Sequence, residues 1–383
     1  MAMDRLFQLM KEKNASDMFF AINSPIHLKI NGNLLPINQQ KMDEENIMTL
    51  LSEVVSTEHL QQFKRDNELN IGIGAPGIGR FRLSAFKQRG STSAVFRFVP
   101  GQIPPLTTLN LPPVLSELVM EKRGLILVVG ATGSGKSTSI ASMLDFRNET
   151  KTGHILTIED PIEYLFRSKK SIVNQREVGT DADSLKTALR NSLRQAPDCI
   201  LIGEIRDLET MMAAIAYAQS GHLVVATLHA NNSYQALNRI ISFFPIENRS
   251  ALLLDLASAI KAIISQRLVK AVNGGRCPAV EIMLNTRYVA ELIEQGNIFQ
   301  IKEAIEKSLA PGSQTFERAL LQLIKDGLIT QEEGLANADS ANNLLWLINN
   351  DAILAQKNQP AAAPEPEPEL KDQATFTEFT LTI

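Results

Sequence analysis

A strand–loop–helix unit between Gly124 and Thr138 limits the folds open to this chain. The apolar run Leu125 to Val129 predicts a buried strand, and a helix is expected to begin at Lys136. The residues between them fit the pattern G-x-x-x-x-G-K-[ST], whose glycines let backbone N–H groups surround a polyanion. The helix N-terminus behind the loop adds its dipole. We therefore expect a phosphate-binding loop made of Gly130, Ala131, Thr132, Gly133, Ser134, Gly135, Lys136, Ser137 and Thr138.

Two residues of this loop have defined chemical tasks in such a site. Lys136 is expected to reach the β- and γ-phosphates of a nucleoside triphosphate, and the Ser137 hydroxyl to ligate Mg²⁺. A glycine-rich turn without a ligand is the alternative. The strand before the loop and the helix after it favour nucleotide binding, with ATP and Mg²⁺ as the cofactors.

Length and composition predict a two-domain, water-soluble chain. The 383 residues exceed one average domain, and 44% hydrophobic with 21% charged residues is ordinary for a globular protein. No apolar run reaches the roughly 18 residues of a membrane span, and the N-terminus lacks the pattern of a signal peptide. Cys199 and Cys277 lie in apolar, strand-like contexts, which indicates core residues in a reducing compartment. We expect a cytoplasmic protein.

The apolar periodicity and the composition divide the chain into four segments. Residues 1–99 predict a small α+β domain, and residues 100–113 a proline-rich linker. Residues 114–350 alternate strands and helices up to about residue 249, which predicts a doubly wound, mostly parallel α/β sheet; the rest is expected to be mostly helical. Residues 351–383 form a low-complexity Pro/Glu tail that we expect to be disordered.

The charge distribution argues against nucleic acid as a partner. The net charge is −4, and the tail from Gln359 to Ile383 holds four more acids than bases. The remainder of the chain is therefore nearly neutral, whereas a nucleic-acid translocase more often carries a basic excess.

Two acidic segments follow predicted strands, where open α/β sheets bind ligands. The segment after Ile158 reads Glu159-Asp160-Pro161-Ile162-Glu163, and either Glu163 or Glu159 could accept a proton from the attacking water of a hydrolysis reaction. The strand Cys199–Ile202 ends at Gly203 and Glu204, which resembles a Walker B segment holding Mg²⁺ directly or through water. Gly203 occupies the place of the usual Asp. Arg206 and Asp207 are expected to pair with each other.

Two histidines and a set of arginines complete the candidates. His222 and His229 frame one predicted strand, and their roughly 23 Å separation excludes a shared metal ion. Either could donate near phosphate or simply bond at a strand end. Arginines stabilise transition-state charge in phosphoryl transfer. They are concentrated on N-terminal strands, either as phosphate contacts or as a solvated basic face: Arg80, Arg82, Arg89 and Arg97.

Taken together, four sequence boxes resemble the secretion ATPase family, specifically the retraction ATPases of bacterial type IV pili. The boxes are GATGSGKST, TIEDPIEY, ILIGEIRD and GHLVVATLH, and the resemblance extends from residue 1 to about 345. It implies a homo-hexamer of subunits with a PAS-like N-terminal domain and a RecA-like motor domain. It also implies that Glu163 activates water, that Glu204 is the Walker B acid, that His222 and His229 link phosphate state to domain position, and that Arg82 and Arg97 approach the γ-phosphate.

Two departures from the PilT branch of this family bear on the partner. A PilT-type Ala-Ile-Arg-Asn-Leu-Ile-Arg helix is replaced by residues 288–294, where Ala290 and Glu294 stand in place of arginines. The acidic tail is also foreign to PilT-type members. Both features resemble the PilU branch and predict an accessory ATPase of twitching motility. Its expected partners are a PilT-like motor and an inner-membrane platform protein, at the cytoplasmic base of the pilus. The alternatives are a binding-only ring with weak catalysis and a RecA-like nucleic-acid translocase.

Overall fold

The computed structural model describes residues 2–30, 32–99 and 101–357. These residues form an N-terminal domain and a larger C-terminal domain, each with its own buried apolar core. The elements of the N-terminal domain are α1 (Ala2–Glu12), β1 (Asp17–Phe20), β2 (His27–Ile30), β3 (Asn33–Pro36), α2 (Glu44–Val54), α3 (Thr57–Asp66), β4 (Glu68–Ala75), β5 (Gly79–Gln88) and β6 (Ser91–Val99).

Within the described residues, the N-terminal strands form one antiparallel sheet in the order β3-β2-β1-β6-β5-β4. Alternate positions of the strands face the helices, and phenylalanines occupy several positions of the core that lies between them. Phe7 of α1 stacks on Phe81 of β5 with ring centroids 3.8 Å apart, and Phe96 of β6 meets Phe7 edge-on. Burial of these rings fixes α1 across the sheet.

Residues 43–63 have one continuous helical period in the sequence, which predicts a single helix, but the structure has two helices there. Val55 is extended and ends α2, and the Ser56 side chain accepts a hydrogen bond from the backbone N–H of His59. A serine that caps a new N-terminus interrupts a helical pattern because it satisfies donors that the first turn leaves free. The apolar period continues through this break and concealed it.

The segment after the N-terminal domain lies on the larger domain. The Ser142 hydroxyl donates to the carbonyl oxygen of Pro104 at 2.7 Å. Leu106 and Leu111 pack against the apolar core of the C-terminal domain. The segment from Pro104 to Leu111 is therefore anchored to the C-terminal domain.

The C-terminal domain holds the remaining described elements. In chain order they are α4 (Val114–Leu118), β7 (Gly124–Val129), α5 (Lys136–Thr150), β8 (Gly153–Glu159), β9 (Ser171–Glu177), α6 (Leu185–Ser192), β10 (Cys199–Ile202), α7 (Leu208–Gln219), β11 (Leu223–Leu228), α8 (Ser233–Ser242), α9 (Arg249–Ala259), β12 (Ile260–Lys270), β13 (Arg276–Leu284), α10 (Arg287–Glu294), α11 (Ile301–Glu306), α12 (Phe316–Lys325), α13 (Gln331–Asn337) and α14 (Ala341–Lys357).

In the described part of this domain, the sheet order is β13-β12-β7-β11-β10-β8-β9. All neighbouring strands are parallel except β12 and β13. Every residue of β7 is buried, which is the pattern of a central strand covered by helices on both faces. Strand β11 separates β7 from β10, so the segments that follow these three strands meet at one edge of the sheet.

Two strands of this sheet were not predicted. Strand β9 carries mostly polar residues because it is an edge strand, and its Ile172 is 63% exposed. Strand β12 lies in the region expected to be mostly helical, but its residues Ala262, Ile263 and Ile264 are buried between β7 and β13. Its pairing with distant strands decided this conformation, which the local pattern left ambiguous.

The end of the chain lies partly outside the described residues. Helix α14 continues to Lys357, seven residues into the segment expected to be a tail from residue 351. The predicted disorder of residues 358–383 falls outside the described part of the chain.

Candidate functional site

A cavity of about 690 Å³ lies between the two domains, at the edge of the large sheet where β7, β8, β10 and β11 end. The phosphate loop lines one side of it, including Lys136 and Ser137. Residues of the N-terminal domain line the other side, including Arg82 and Arg97. The cavity is therefore shared by the two domains.

The phosphate loop has the backbone geometry that its glycines predict. Gly133 and Gly135 adopt positive φ values of 79° and 87°, which residues with a Cβ rarely take. Gln266 of β12 braces the loop from below: its Nε2 donates to the Ser134 carbonyl at 2.8 Å, and its Oε1 accepts from the Ser139 hydroxyl at 2.7 Å. The loop is therefore held to the strand beneath it and to the helix behind it.

Lys136 is the first residue of α5, and its side chain reaches back to the loop. Its Nζ donates to the carbonyl oxygens of Gly130 and Ala131 at 2.8 and 2.9 Å. Burial lowers the pKa of Lys136, while the charges of Glu204 and Glu163 act in the opposite direction. The ammonium group, the two carboxylates and the loop thus share one electrostatic environment.

The structure separates the two candidate carboxylates of the acidic segment. Glu159 is buried, and its Oε1 accepts from the Thr157 hydroxyl at 2.6 Å and from Gln175 Nε2 at 3.1 Å. Burial raises the pKa of Glu159 despite these hydrogen bonds. Glu163 is exposed and lines the cavity. Only Glu163 of the two combines access to solvent with a place at the cavity wall, which favours it as the proton acceptor.

Glu204 lies at the tip of β10 in a small charged cluster. One of its oxygens is 3.0 Å from His229 Nε2, and the other accepts from Arg206 at 2.7 Å. Arg206 also approaches Asp160 at 3.8 Å. The expected pairing of Arg206 with Asp207 was wrong, because Asp207 instead caps α7 by accepting from the Thr210 N–H.

The two histidines lie at opposite ends of β11, as their spacing requires. His229 follows the carboxyl end of the strand and lines the cavity. His222 precedes the strand, and its Nδ1 lies 3.0 Å from the Ser220 hydroxyl and 3.3 Å from the Tyr217 carbonyl oxygen. His222 is therefore at the far edge of the sheet from the phosphate loop of the same chain.

Three of the four candidate arginines take part in the site or the domain contact, whereas Arg89 lies in the turn between β5 and β6 and does not line the cavity. Arg82 and Arg97 line the cavity, and Arg97 donates to Asp17 at 2.8 Å with 64% of its side chain exposed. Arg80 instead pairs with Glu177 of the C-terminal domain. Arg80 therefore joins the two domains, whereas Arg82 and Arg97 face the cavity.

Mg²⁺ fits the donors at this site when phosphate and water complete its shell. The described residues contain no group of three or more His, Cys, Asp or Glu side chains that could hold a metal ion. The cavity does place the Ser137 hydroxyl and the Glu204 carboxylate on its wall. Mg²⁺ usually binds through one or two protein oxygens together with substrate phosphates and waters.

Several residues that shape the site were not among the candidates taken from the sequence. Tyr164 shares a 2.8 Å hydrogen bond with the Thr138 hydroxyl, and Leu268 and Arg276 line the cavity from β12 and β13. A glutamine inside the apolar run of β12 was the available clue to Gln266. Its partner residues lie more than 120 positions away, so the sequence alone did not identify its role.

A glycine loop at a parallel-sheet edge, opposed by carboxylates and by arginines of a second domain, defines a two-domain P-loop nucleotide hydrolase. Residues 2–288 match the family described as type II/IV secretion system proteins, and the chain belongs to that family.

Curated relatives narrow this assignment. The chain is 46% identical to the type IV pilus ATPase PilU of Pseudomonas aeruginosa, with 91% of each chain covered. It is 37% identical to the type IV pilus retraction ATPase PilT of the same organism, over 90% of this chain and 100% of that protein.

Solved structures agree with the sequence relatives. The pilus retraction motor PilT with bound ADP superposes with a TM-score of 0.82 at 39% identity, covering 88% of this chain and 98% of that one. The Legionella pneumophila ATPase DotB gives a TM-score of 0.77 at 27% identity, covering 87% and 94%. The predicted family and enzyme class are confirmed: the chain is an ATP hydrolase of the type IV pilus retraction ATPase group.

No helix among residues 2–30, 32–99 and 101–357 is long and apolar enough to cross a membrane.

Proposed function

We propose that six copies of this chain form a ring that powers or assists the retraction of a type IV pilus, and thereby twitching motility. The observation that carries the proposal is the cavity shared by the two domains. Because one wall holds the phosphate loop and the other holds Arg82 and Arg97, a change in phosphate state alters the attraction between the domains. Hydrolysis is thereby linked to domain movement, as a motor requires.

Each residue at the cavity has a proposed task. Lys136 and the loop N–H groups hold the β- and γ-phosphates, and Arg82 and Arg97 stabilise charge that develops during transfer. Glu163 orients the attacking water and accepts its proton. Ser137 and, through water, Glu204 would hold Mg²⁺, which supplies neutralisation of phosphate charge when bound. His229 contacts Glu204 and would report the phosphate state to the end of β11.

His222 is proposed to act in a different place from His229. It lies at the opposite end of β11, so it does not approach the phosphate loop of its own subunit. The strand between the two histidines is almost entirely buried. We propose that this strand transmits small shifts at His229 to the surface around His222.

The two domains are proposed to be PAS-like and RecA-like. An antiparallel sheet with its first strand at the centre and helices on it supports the first assignment. A parallel sheet with one strand inserted between the phosphate-loop strand and the Glu204 strand supports the second.

We propose that the ring is an accessory to a PilT-like motor. Helix α10 supports this proposal because its Glu294 is exposed and its Ala290 packs partly against the core, at positions where PilT-type members carry arginines. An acidic surface in place of a basic one would select a different partner. The ring would act in the cytoplasm at the base of the pilus, on an inner-membrane platform protein, without nucleic acid.

Replacing Lys136 with Ala tests the enzymatic part of the proposal. Loss of the phosphate contact should lower steady-state ATP turnover by at least about 10²-fold. Lys122→Ala serves as the matched control, because Lys122 is an exposed lysine just before β7. This variant should turn over ATP normally. Equal turnover by the two variants would refute the proposal, and stimulation of the wild type by DNA would redirect it to nucleic acid.

The accessory role is tested by purifying the chain together with a PilT-like motor. We expect the two proteins to co-purify and the ATPase rate of the mixture to exceed the sum of the separate rates. In cells, Glu204→Ala should reduce retraction when the motor is present. Unchanged retraction would indicate a binding-only partner.

A further inference from the structure

Glu177, the last residue of β9, lies where the two domains touch and is only 2% exposed. Its carboxylate accepts hydrogen bonds from both domains. From the N-terminal domain come the Gly72 N–H at 3.2 Å and the Arg80 guanidinium. From the C-terminal domain come the Ile162 N–H at 3.0 Å and the Thr180 hydroxyl at 3.3 Å. Four donors thus surround two oxygens, which is close to the full capacity of a carboxylate.

The contacts of Glu177 with the N-terminal domain leave no room for a side chain at Gly72. A Cβ added at Gly72 would lie 2.8 Å from Glu177 Oε1 and would also collide with the Arg80 guanidinium. Gly72 pairs with Arg82 in the register of β4 and β5. The carboxylate therefore holds the backbone beside the arginine that lines the cavity.

The contact with Ile162 reaches the other wall of the cavity. Ile162 directly precedes Glu163, and its N–H is fixed by the same carboxylate oxygen that binds Arg80. The Glu177 backbone N–H donates to Asp181 at 2.9 Å, which holds the end of β9 itself. Glu177 does not line the cavity.

We propose that Glu177 is a positioning residue that sets Glu163 against the N-terminal domain, so that the proton acceptor is aligned only when the domains are in this arrangement. This inference rests on the proposed role of Glu163 in hydrolysis. If the N-terminal domain moves away, the oxygen that binds Ile162 loses its Arg80 partner, and the segment carrying Glu163 is free to shift. A displacement of about 1 Å at a reacting group can lower a rate by about 10²-fold.

Glu177→Gln is the first test because it keeps the shape of the side chain. A carboxamide offers one acceptor oxygen and an NH₂ group that only donates, so two of the four N–H or O–H donors would lose their acceptor. We expect kcat for ATP hydrolysis to fall by about 10- to 100-fold. The KM for ATP should stay within about twofold, because the phosphate loop is not touched.

Glu317→Gln is the matched control. Glu317 is 3% exposed, it accepts from Lys302 at 2.8 Å and from the Ser340 N–H at 2.9 Å, and neither it nor these partners line the cavity. Both variants remove a buried, charge-paired carboxylate, so both should lower the melting temperature. Only Glu177→Gln should lower kcat. Equal losses of kcat in the two variants would reduce the role of Glu177 to general stability and overturn the inference.

Arg80→Gln keeps the inference testable if Glu177→Gln fails to fold. It removes the N-terminal partner that shares a carboxylate oxygen with Ile162, and it leaves the other three donors, including the Gly72 N–H, in place. We expect a lower kcat with unchanged KM from Arg80→Gln alone. If Glu177→Gln does fold, the double variant should be no slower than the slower single variant. Wild-type kcat in Arg80→Gln, or additive losses in the double variant, would contradict the inference.

Comparing the activities of these variants also separates this inference from the proposed function. If Lys136→Ala retains activity, the proposed function fails. If Lys136→Ala and Glu163→Gln are inactive while Glu177→Gln keeps wild-type kcat, or changes KM alone, the positioning role fails by itself.

Discussion

At the scale of single residues, the acidic segment shows how burial separates two similar side chains. Glu159 and Glu163 are four positions apart, and the sequence left either as the proton acceptor. In the structure Glu159 is enclosed and bonded to Thr157 and Gln175, whereas Glu163 is exposed at the cavity. A general base must reach the water that it activates. The geometry therefore favours Glu163.

Glu163→Gln should bind ATP normally and hydrolyse it about 10²- to 10⁴-fold more slowly, because the amide cannot accept a proton. Nucleotide affinity by fluorescence titration and single-turnover hydrolysis would measure the two effects separately. Glu159→Gln is the companion variant, for which we expect a much smaller loss of rate. The reverse order of effects would transfer the base role to Glu159.

At the scale of elements, the tip of β10 explains an unusual feature of the sequence. Gly203 occupies the place where an Asp is common in the Walker B segment. A Cβ at this position would lie 3.2 Å from Glu159 Cα and 3.2 Å from the Ile158 carbonyl oxygen, both backbone atoms of β8. The Gly203 carbonyl also accepts from the Thr227 hydroxyl of β11. The tip is thus packed between two strands that carry parts of the site.

Gly203→Ala should destabilise the protein by about 1–3 kcal/mol, because strand backbones must separate to admit the methyl group. The same shift should move Glu204 relative to the acidic segment and lower ATP turnover. Thermal unfolding and steady-state hydrolysis would measure both effects. Gly275→Ala, in the loop after β12, meets only the flexible side chain of Asn273 at 3.4 Å and should be silent. A stable, fully active Gly203→Ala would contradict this account.

At the scale of the whole molecule, the shared cavity makes domain position part of the catalytic site. One wall belongs to the large sheet of the C-terminal domain, and the other belongs to the N-terminal domain. In the proposed ring, a change in domain position in one subunit would alter the domain positions of its neighbours. A mixture of active and inactive subunits can therefore reveal whether six chains work together.

Mixing wild-type protein with Lys136→Ala protein should lower ATP turnover more steeply than the inactive fraction alone predicts. Sedimentation should show a particle of six chains of 42.2 kDa each. Dilution with the active Lys122→Ala variant is the control for mixing itself and should leave the rate unchanged. A strictly proportional loss with Lys136→Ala would indicate subunits that act independently.

The sequence by itself determined the local units of this protein. The phosphate loop lies between β7 and α5 because its glycines, its apolar strand and its helix start are contiguous. The prediction of secondary structure failed where distant segments decided the conformation, as at β12. It also failed where a helix cap interrupted a continuous apolar period, as at Ser56.

Tertiary structure alone decided which distant residues meet. Glu204 contacts His229, Gln266 braces the phosphate loop, and Glu177 joins Gly72 and Arg80 to the segment of Glu163. Backbone propensities and motifs act over a few residues, whereas these contacts join positions separated by 15 to 132 residues. Their geometry is set by strand register and by the packing of one domain on the other, which local sequence patterns do not encode.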